Sequence, residues 1–264
     1  ENLGAVEKLI KQACAKCAPA EGQPKENPKV ERPLIAPHVE PRITCMVDRE
    51  ATKTSVTVTF KYEASECATP SGFFTKTVED SFKLALDNRL YKIMRKADPP
   101  FFSAACSIEE ATRTTTIFSL QIVCEEGKAK QGLEAGLREL TRARLHGFSE
   151  QELRIAGAKQ LADAEQLFVE RDQTYCTSLR DELVGHFLRG EFVVGAEEEA
   201  RITQACVERV KTSDLKEFAK RLNFNNSCVI RAMEGRALTT EKDIAGAIDT
   251  IQREEHAGAI TENE

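Results

Sequence analysis

Four histidines, nine cysteines and a surplus of carboxylates are the residues of this 264-residue chain that could do chemistry. The histidines stand at positions 38, 146, 186 and 256, and no two are close enough in sequence to share a helix face as metal ligands. Peptide hydrolysis by a zinc-bound water needs two His on one helix with a Glu beside them as base, spaced His-x-x-Glu-His or His-Glu-x-x-His. Neither spacing occurs. His146 precedes Gly147 at a helix end and reads as a charge partner of the helix C-terminus. His186, inside Leu183-Val184-Gly185-His186-Phe187-Leu188, reads as packed or half-exposed. Cys14-x-x-Cys17 is half a zinc site or a redox pair, and it lacks the second pair that would make either. Cys106, Cys124 and Cys228 lie in apolar runs and read as small buried hydrophobes. The odd number and scattered spacing of the cysteines suit free thiols in a reducing compartment. Arg89 and Arg95 sit six apart on one helix. Each reads as an exposed or salt-bridged side chain, or as a contact for a peptide or a neighbouring domain. Glu197-Glu198-Glu199 reads as a solvated first helical turn, where the helix dipole favours carboxylates. There is no phosphate loop, nucleotide fingerprint or nucleophile motif.

Composition bounds the frame that must hold these residues. Hydrophobic residues are 41% and charged residues 30%, an ordinary globular mixture. The length suits one large domain or two small ones. A net charge of −6 argues against a nucleic-acid binder. No apolar run approaches the roughly 18 residues of a membrane helix. The chain opens on Glu1, not Met, so it is expected to be processed or a fragment of something longer.

Hydrophobic periodicity supplies the elements. Val6, Leu9, Ile10 and Cys14 mark a first helix within residues 1–18, placed as the end of a preceding domain. Seven of the nine prolines follow over 19–41, an extended linker. Arg42 to Val47 and the alternating Thr54 to Phe60 are expected as neighbouring strands. Residues 64–75 read as loop, and a strong helix as 77–96, with Thr77 and Asp80 as its capping pair and Pro99-Pro100 as its stop. Strands follow over 102–109 and 114–124, with a polar turn over 109–113. Helices then fill 128–222, punctuated by Gly147, Gly190 and Gly195, with a capping box at Ser149 and Glu152. A last strand spans 227–233, and residues 237–264 form a terminal helix opened by Thr240 and a polar tail. Strands in two early groups and one late one imply an α+β fold. Its sheet should be mixed and largely antiparallel, with helices packed on one face.

The stretch Leu86-Asp87-Asn88-Arg89-Leu90-Tyr91-Lys92-Ile93-Met94-Arg95-Lys96-Ala97-Asp98-Pro99-Pro100-Phe101-Phe102 resembles the second domain of the pitrilysin-type (insulinase-like) zinc metallopeptidases. The PqqL-like zinc proteases of plants and algae are the nearest subgroup. Thr212-Ser213-Asp214-Leu215-Lys216-Glu217-Phe218-Ala219 and the helical run from 128 support the match, and Val6 to Lys11 is similar to the end of the family's first domain. The resemblance covers roughly 1–236 and implies a LuxS/MPP-like metallopeptidase domain over 42–236. It further implies that zinc sits in another, catalytic domain, in the same polypeptide or a partner chain, and that the whole hydrolyses peptides in a closed chamber. In the family's substrate-binding half, an Arg and a Tyr seven residues later help to bind substrate. The matching positions here are Arg95 and Phe102, and a Phe cannot donate a hydrogen bond to an oxyanion. The expectation is therefore a non-catalytic domain with no cofactor of its own, no nucleic-acid partner and no membrane span. The alternative is a stand-alone scaffold subunit or an inactive partner of a processing peptidase or organellar complex. Through the resemblance alone, the compartment is intracellular, a chloroplast or a mitochondrion.

Overall fold

The computed structural model describes residues 2–15, 34–66 and 68–262. Most of the expected proline linker, together with Cys17 and Cys67, lies outside them. Two compact units result, 1–33 and 34–264. The first holds helix α1 (Leu3–Ala15), every residue of which is exposed, including Val6, Leu9 and Ile10.

The second unit is built on five strands: β1 (Arg42–Val47), β2 (Thr54–Glu63), β3 (Ser103–Thr112), β4 (Thr115–Cys124) and β5 (Cys228–Glu234). Their spatial order is β1-β5-β2-β4-β3, parallel between β1 and β5 and antiparallel elsewhere. β1 is thus not the neighbour of β2. Both edges of β2 are taken by stronger ladders, with Val58 opposite Leu120 of β4 and Ile230 of β5. β3 also outruns its expected end. Its ladder with β4 continues to the Thr112–Thr115 pair and shrinks the turn to two residues.

Strand alternation sends one face of the sheet inward. Val56, Val58, Phe60, Phe118, Leu120, Ile122 and Ile230 are essentially fully buried. Helices α2 (Pro70–Met94), α3 (Ala129–His146), α7 (Thr212–Ala219) and α8 (Glu241–His256) enclose that core with Leu86, Leu90, Leu133, Leu137, Leu215, Ile244 and Ile251. Gly136 lets α3 lie close to the sheet, since a Cβ there would come within 2.5 Å of Ile122. Phe82 anchors the middle, 5.0–5.9 Å from the rings of Phe118, Phe148 and Phe218. Outside α2 lie α4 (Glu150–Val169) and α6 (Ala196–Val207), while α5 (Cys176–Arg189) presents Leu183 and Phe187 to solvent.

Two local features decide where α2 and α4 begin. The expected loop over 64–75 is half helix, because Thr69 and not Thr77 caps α2. The Thr69 hydroxyl accepts the Gly72 N–H at 3.1 Å, and Pro70 takes the first helical position, where a missing N–H costs nothing. Thr77 is instead a buried mid-helix residue whose hydroxyl donates to the Phe73 carbonyl. At the other boundary Gly147 ends α3 with φ 80°, and Ser149 and Glu152 form the expected capping box of α4. Thr240 and Asp243 do the same for α8.

Candidate functional site

α2 carries both places where the surface could act. Its last turn presents Arg95, whose backbone N–H donates to the Tyr91 carbonyl at 3.2 Å. The exposed Arg95 guanidinium donates to the Tyr91 hydroxyl at 3.2 Å and lies 5.8 Å from that ring's centre. Phe101 is 1% exposed and Phe102 is 56% exposed, so the adjacent phenylalanines divide between core and surface. The Phe102 N–H donates to the Val123 carbonyl, which pins it beside the sheet. Arg95 and Phe102 therefore share the α2–β3 connection. No hydrogen bond, ion pair or ring contact joins them among the described residues. The hydroxyl beside Arg95 belongs to Tyr91, which the sequence reading passed over. Its signal was the four-residue helical spacing, which puts two side chains on one face.

Arg89 does structural work. Its Nε donates to Glu152 Oε1 at 2.6 Å, and its Nη2 to Glu152 Oε2 and the Gly147 carbonyl, each at 2.9 Å. The guanidinium carbon sits 4.3 Å over the Phe148 ring. Burial pushes the Glu152 carboxyl up, but the Arg89 fork and the Ser149 N–H and hydroxyl outweigh it and hold the group at about 2. Lys92, Lys96 and Arg142 join Arg89 around a cavity of about 410 Å³.

The N-terminal half of α2 is the reverse. Three adjoining cavities of about 310, 450 and 370 Å³ run along it, between α4, α6, the segment after α5 and the β3 edge. Nine carboxylates and two lysines line them. Glu79 is 6% exposed, and its Oε1 has no hydrogen-bond partner among the described residues. Burial pushes its carboxyl up to about 7, against the pull of Arg221. Burial also raises Asp80, and it raises Glu199 together with the charge of Glu182. Of these residues the sequence reading singled out only the 197–199 run. Glu198 pairs with Arg201 at the surface, as a solvated first turn would, but Glu199 turns into the groove.

No family model matches the chain. A stretch of 232 residues, 87% of the chain, is 32% identical to the zinc protease PQQL-like of Arabidopsis thaliana. The chain is a domain of the pitrilysin, or insulinase-type, peptidase family. It spans 21% of the length of that relative. The periplasmic protease PqqL from Escherichia coli superposes with TM-score 0.79 at 13% identity, over 95% of this chain and 28% of that one. The first half of the same protease superposes with TM-score 0.76 at 12% identity, over 85% of this chain and 50% of that one. At that identity the two structures establish the shared fold.

The zinc of the pitrilysin family finds no matching donors in the described part of this domain. His38 Nδ1 lies 2.8 Å from the Glu40 carbonyl, His146 Nε2 2.8 Å from the Ile260 carbonyl, and His186 Nδ1 2.7 Å from the Glu191 carbonyl. These rings sit on separate elements and are engaged by backbone oxygens. His146 thus ties the C-terminal segment to α3, and His186 is exposed, not packed. Among the described residues no group of three or more His, Cys, Asp or Glu is placed to hold a metal ion. Cys106, Cys124 and Cys228 are buried free thiols as expected, and burial raises all three. Cys14 is exposed on α1, and its expected partner Cys17 lies outside the described residues. No described helix is long and apolar enough to cross a membrane.

Proposed function

We propose that this chain is a non-catalytic, chamber-forming domain of a pitrilysin-type zinc metalloendopeptidase. One observation carries the reading. The chain matches a zinc protease at 32% identity over 232 residues, yet its 264 residues contain no His-x-x-Glu-His spacing. A zinc-bound water with its Glu base must then come from elsewhere. The short span of the relative that is matched favours a catalytic domain in the same polypeptide. The substrate class is peptides that fit a closed chamber. Arg95 is proposed to touch the peptide, with Phe102 as an apolar neighbour that donates no hydrogen bond. The proposed compartment is a chloroplast or a mitochondrion, to be checked by following a tagged chain in cells.

The test is the intact mass of the native protein, with its chelator-sensitive hydrolysis of peptides. A mass well above that of 264 residues, with upstream peptides carrying His-x-x-Glu-His, supports the reading. A native protein of this length that assembles with no zinc-bearing chain overturns it and leaves a scaffold subunit.

A further inference from the structure

Helix α5 turns its apolar side away from the domain that carries it. Successive helical residues rotate by about 100°, so Leu179, Leu183, Val184 and Phe187 share one side, with Asp181 and Gly185 opposite. The polar side faces inward. Asp181 and Glu182 border the cavity beside α2, the Glu182 charge reaches Glu199 of α6, and Gly185 is buried. The apolar side faces out, with Leu183 60% and Phe187 86% exposed. Together with Cys176 and Arg180 it forms a shallow concavity of about 470 Å³. Tyr175, four residues before Leu179, extends the same side with an exposed ring.

A helix of 14 residues is marginal in water unless an apolar face packs against something. Among the described residues, α5 makes no more than marginal contact with any other element. Exposed apolar residues scattered singly are ordinary, but a concave cluster of them on one helix face marks an interface. Area and chain length select the occupant. At 14 residues α5 is roughly 20 Å long, so its apolar stripe offers on the order of a few hundred Å². Stable association of free chains takes about 800 Å² from each partner. A tethered partner needs less, because its linker holds it at an effective concentration near millimolar. The source of such a tether is the longer polypeptide, since the Arabidopsis relative, of which this chain spans 21%, carries several times its length of further chain.

We propose that the apolar face of α5 is the seat of a further domain of the same polypeptide. That domain supplies apolar side chains which fill the concavity between Leu179, Leu183 and Phe187. The proposal rests on the reading of this chain as one domain of a longer protein, and it requires no peptidase activity.

The experiment follows amide hydrogen exchange in the longer native protein and in the 264-residue chain. The α5 amides should exchange at least about tenfold more slowly in the longer protein, while those of β2 and β4 exchange alike in both. The Leu183→Glu/Phe187→Glu double variant should abolish that protection in the longer protein. In the 264-residue chain it should hardly move the melting temperature, because both side chains already lie in water. Leu183→Ala/Phe187→Ala, which adds no charge, should lose most of the protection as well. Equal exchange of α5 in the two forms overturns the proposal. So does a double variant that destabilises the 264-residue chain as much as the longer protein, since the face would then pack within its own domain. A dimer of the longer protein that the double variant dissolves also overturns it and makes a second copy the occupant. The peptidase reading fails separately, on chelator sensitivity. A longer protein without zinc-dependent hydrolysis can still cover α5, and an active peptidase can leave it bare. A native protein of only 264 residues removes both.

Discussion

Two carboxylates packed along helix α2, Glu152 of α4 and Glu79 of α2 itself, meet different fates. At its C-terminal half, Glu152 meets the Arg89 fork and stays ionised down to about 2. At its N-terminal half, Glu79 is buried more deeply than Glu152, finds no hydrogen-bond partner for Oε1, and is pushed up to about 7. Burial alone opposes charge in both places. A guanidinium within hydrogen-bond distance reverses the outcome in one of them. The basic end is a closed structural clasp, and the acidic end buries Glu79 without a guanidinium at hydrogen-bond distance.

The largest effect expected is at the clasp. Arg89→Ala strips Glu152 of its partner, frees the Gly147 carbonyl and uncovers Phe148, and it should cost about 3–5 kcal/mol in urea unfolding. Wild type should lose stability as pH falls from the ordinary carboxylate value of 4.5 towards 2, because Glu152 is ionised in the folded chain and protonates first in the unfolded one. The variant should lose the share of that acid limb owed to Glu152 and keep the shares of Glu254 and Asp243, which Arg138 and Thr240 hold low. If it unfolds with the same midpoint and pH profile as wild type, the contrast between the two ends collapses.

Glu79 predicts the opposite slope. The unfolded chain ionises this group above 4.5, while the folded chain keeps it protonated to about 7, so its contribution is lost as pH rises through that window. The groups facing it are Tyr62, Asp80, Lys76 and Arg221. Glu79→Gln should stabilise the protein by about 2–3 kcal/mol at pH 8 and hardly at all at pH 4. Calorimetric melting at both pH values decides it, and a destabilised variant at pH 8 would show that Glu79 has a cation the structure does not reveal.

A smaller test sharpens the clasp. Ser149→Ala removes the hydroxyl that caps α4 and holds Glu152, at a cost of about 1 kcal/mol in the same unfolding assay. Smallest of all is Arg95→Ala. Its exposed guanidinium touches only Tyr91 among the described residues, so stability should change by less than about 0.5 kcal/mol. Peptide turnover by the native protein should fall if Arg95 meets substrate. Unchanged kcat/KM would remove it from the site.

The local signals that proved legible are those in which neighbours in sequence do the work. Ser149 with Glu152, Thr240 with Asp243, and Gly147 past the last leucine of α3 are capping chemistry, complete within four residues. The start of α2 misled because Thr77 with Asp80 imitates a cap, while Thr69-Pro70 was hidden in a stretch whose Ser, Pro and Gly suggested a loop. The place of β1 was illegible for a different reason. Which strand fills the gap between β1 and β2 depends on β5, whose partners lie about 180 residues away in sequence.

By itself, then, the sequence determined the fold class, the peptidase family and the lack of a zinc-motif helix, because periodicity, caps and a 17-residue signature are properties of contiguous chain. Only the tertiary structure decided what each charge does. Arg89 became a clasp because Glu152 lies 63 positions further on, and the acidic groove exists because β3, α4, α5, α6 and the segment after α5 bring carboxylates beside those of α2. A charge takes its meaning from the partners within a few ångströms and from the water it has lost, and neither is written beside it in the chain.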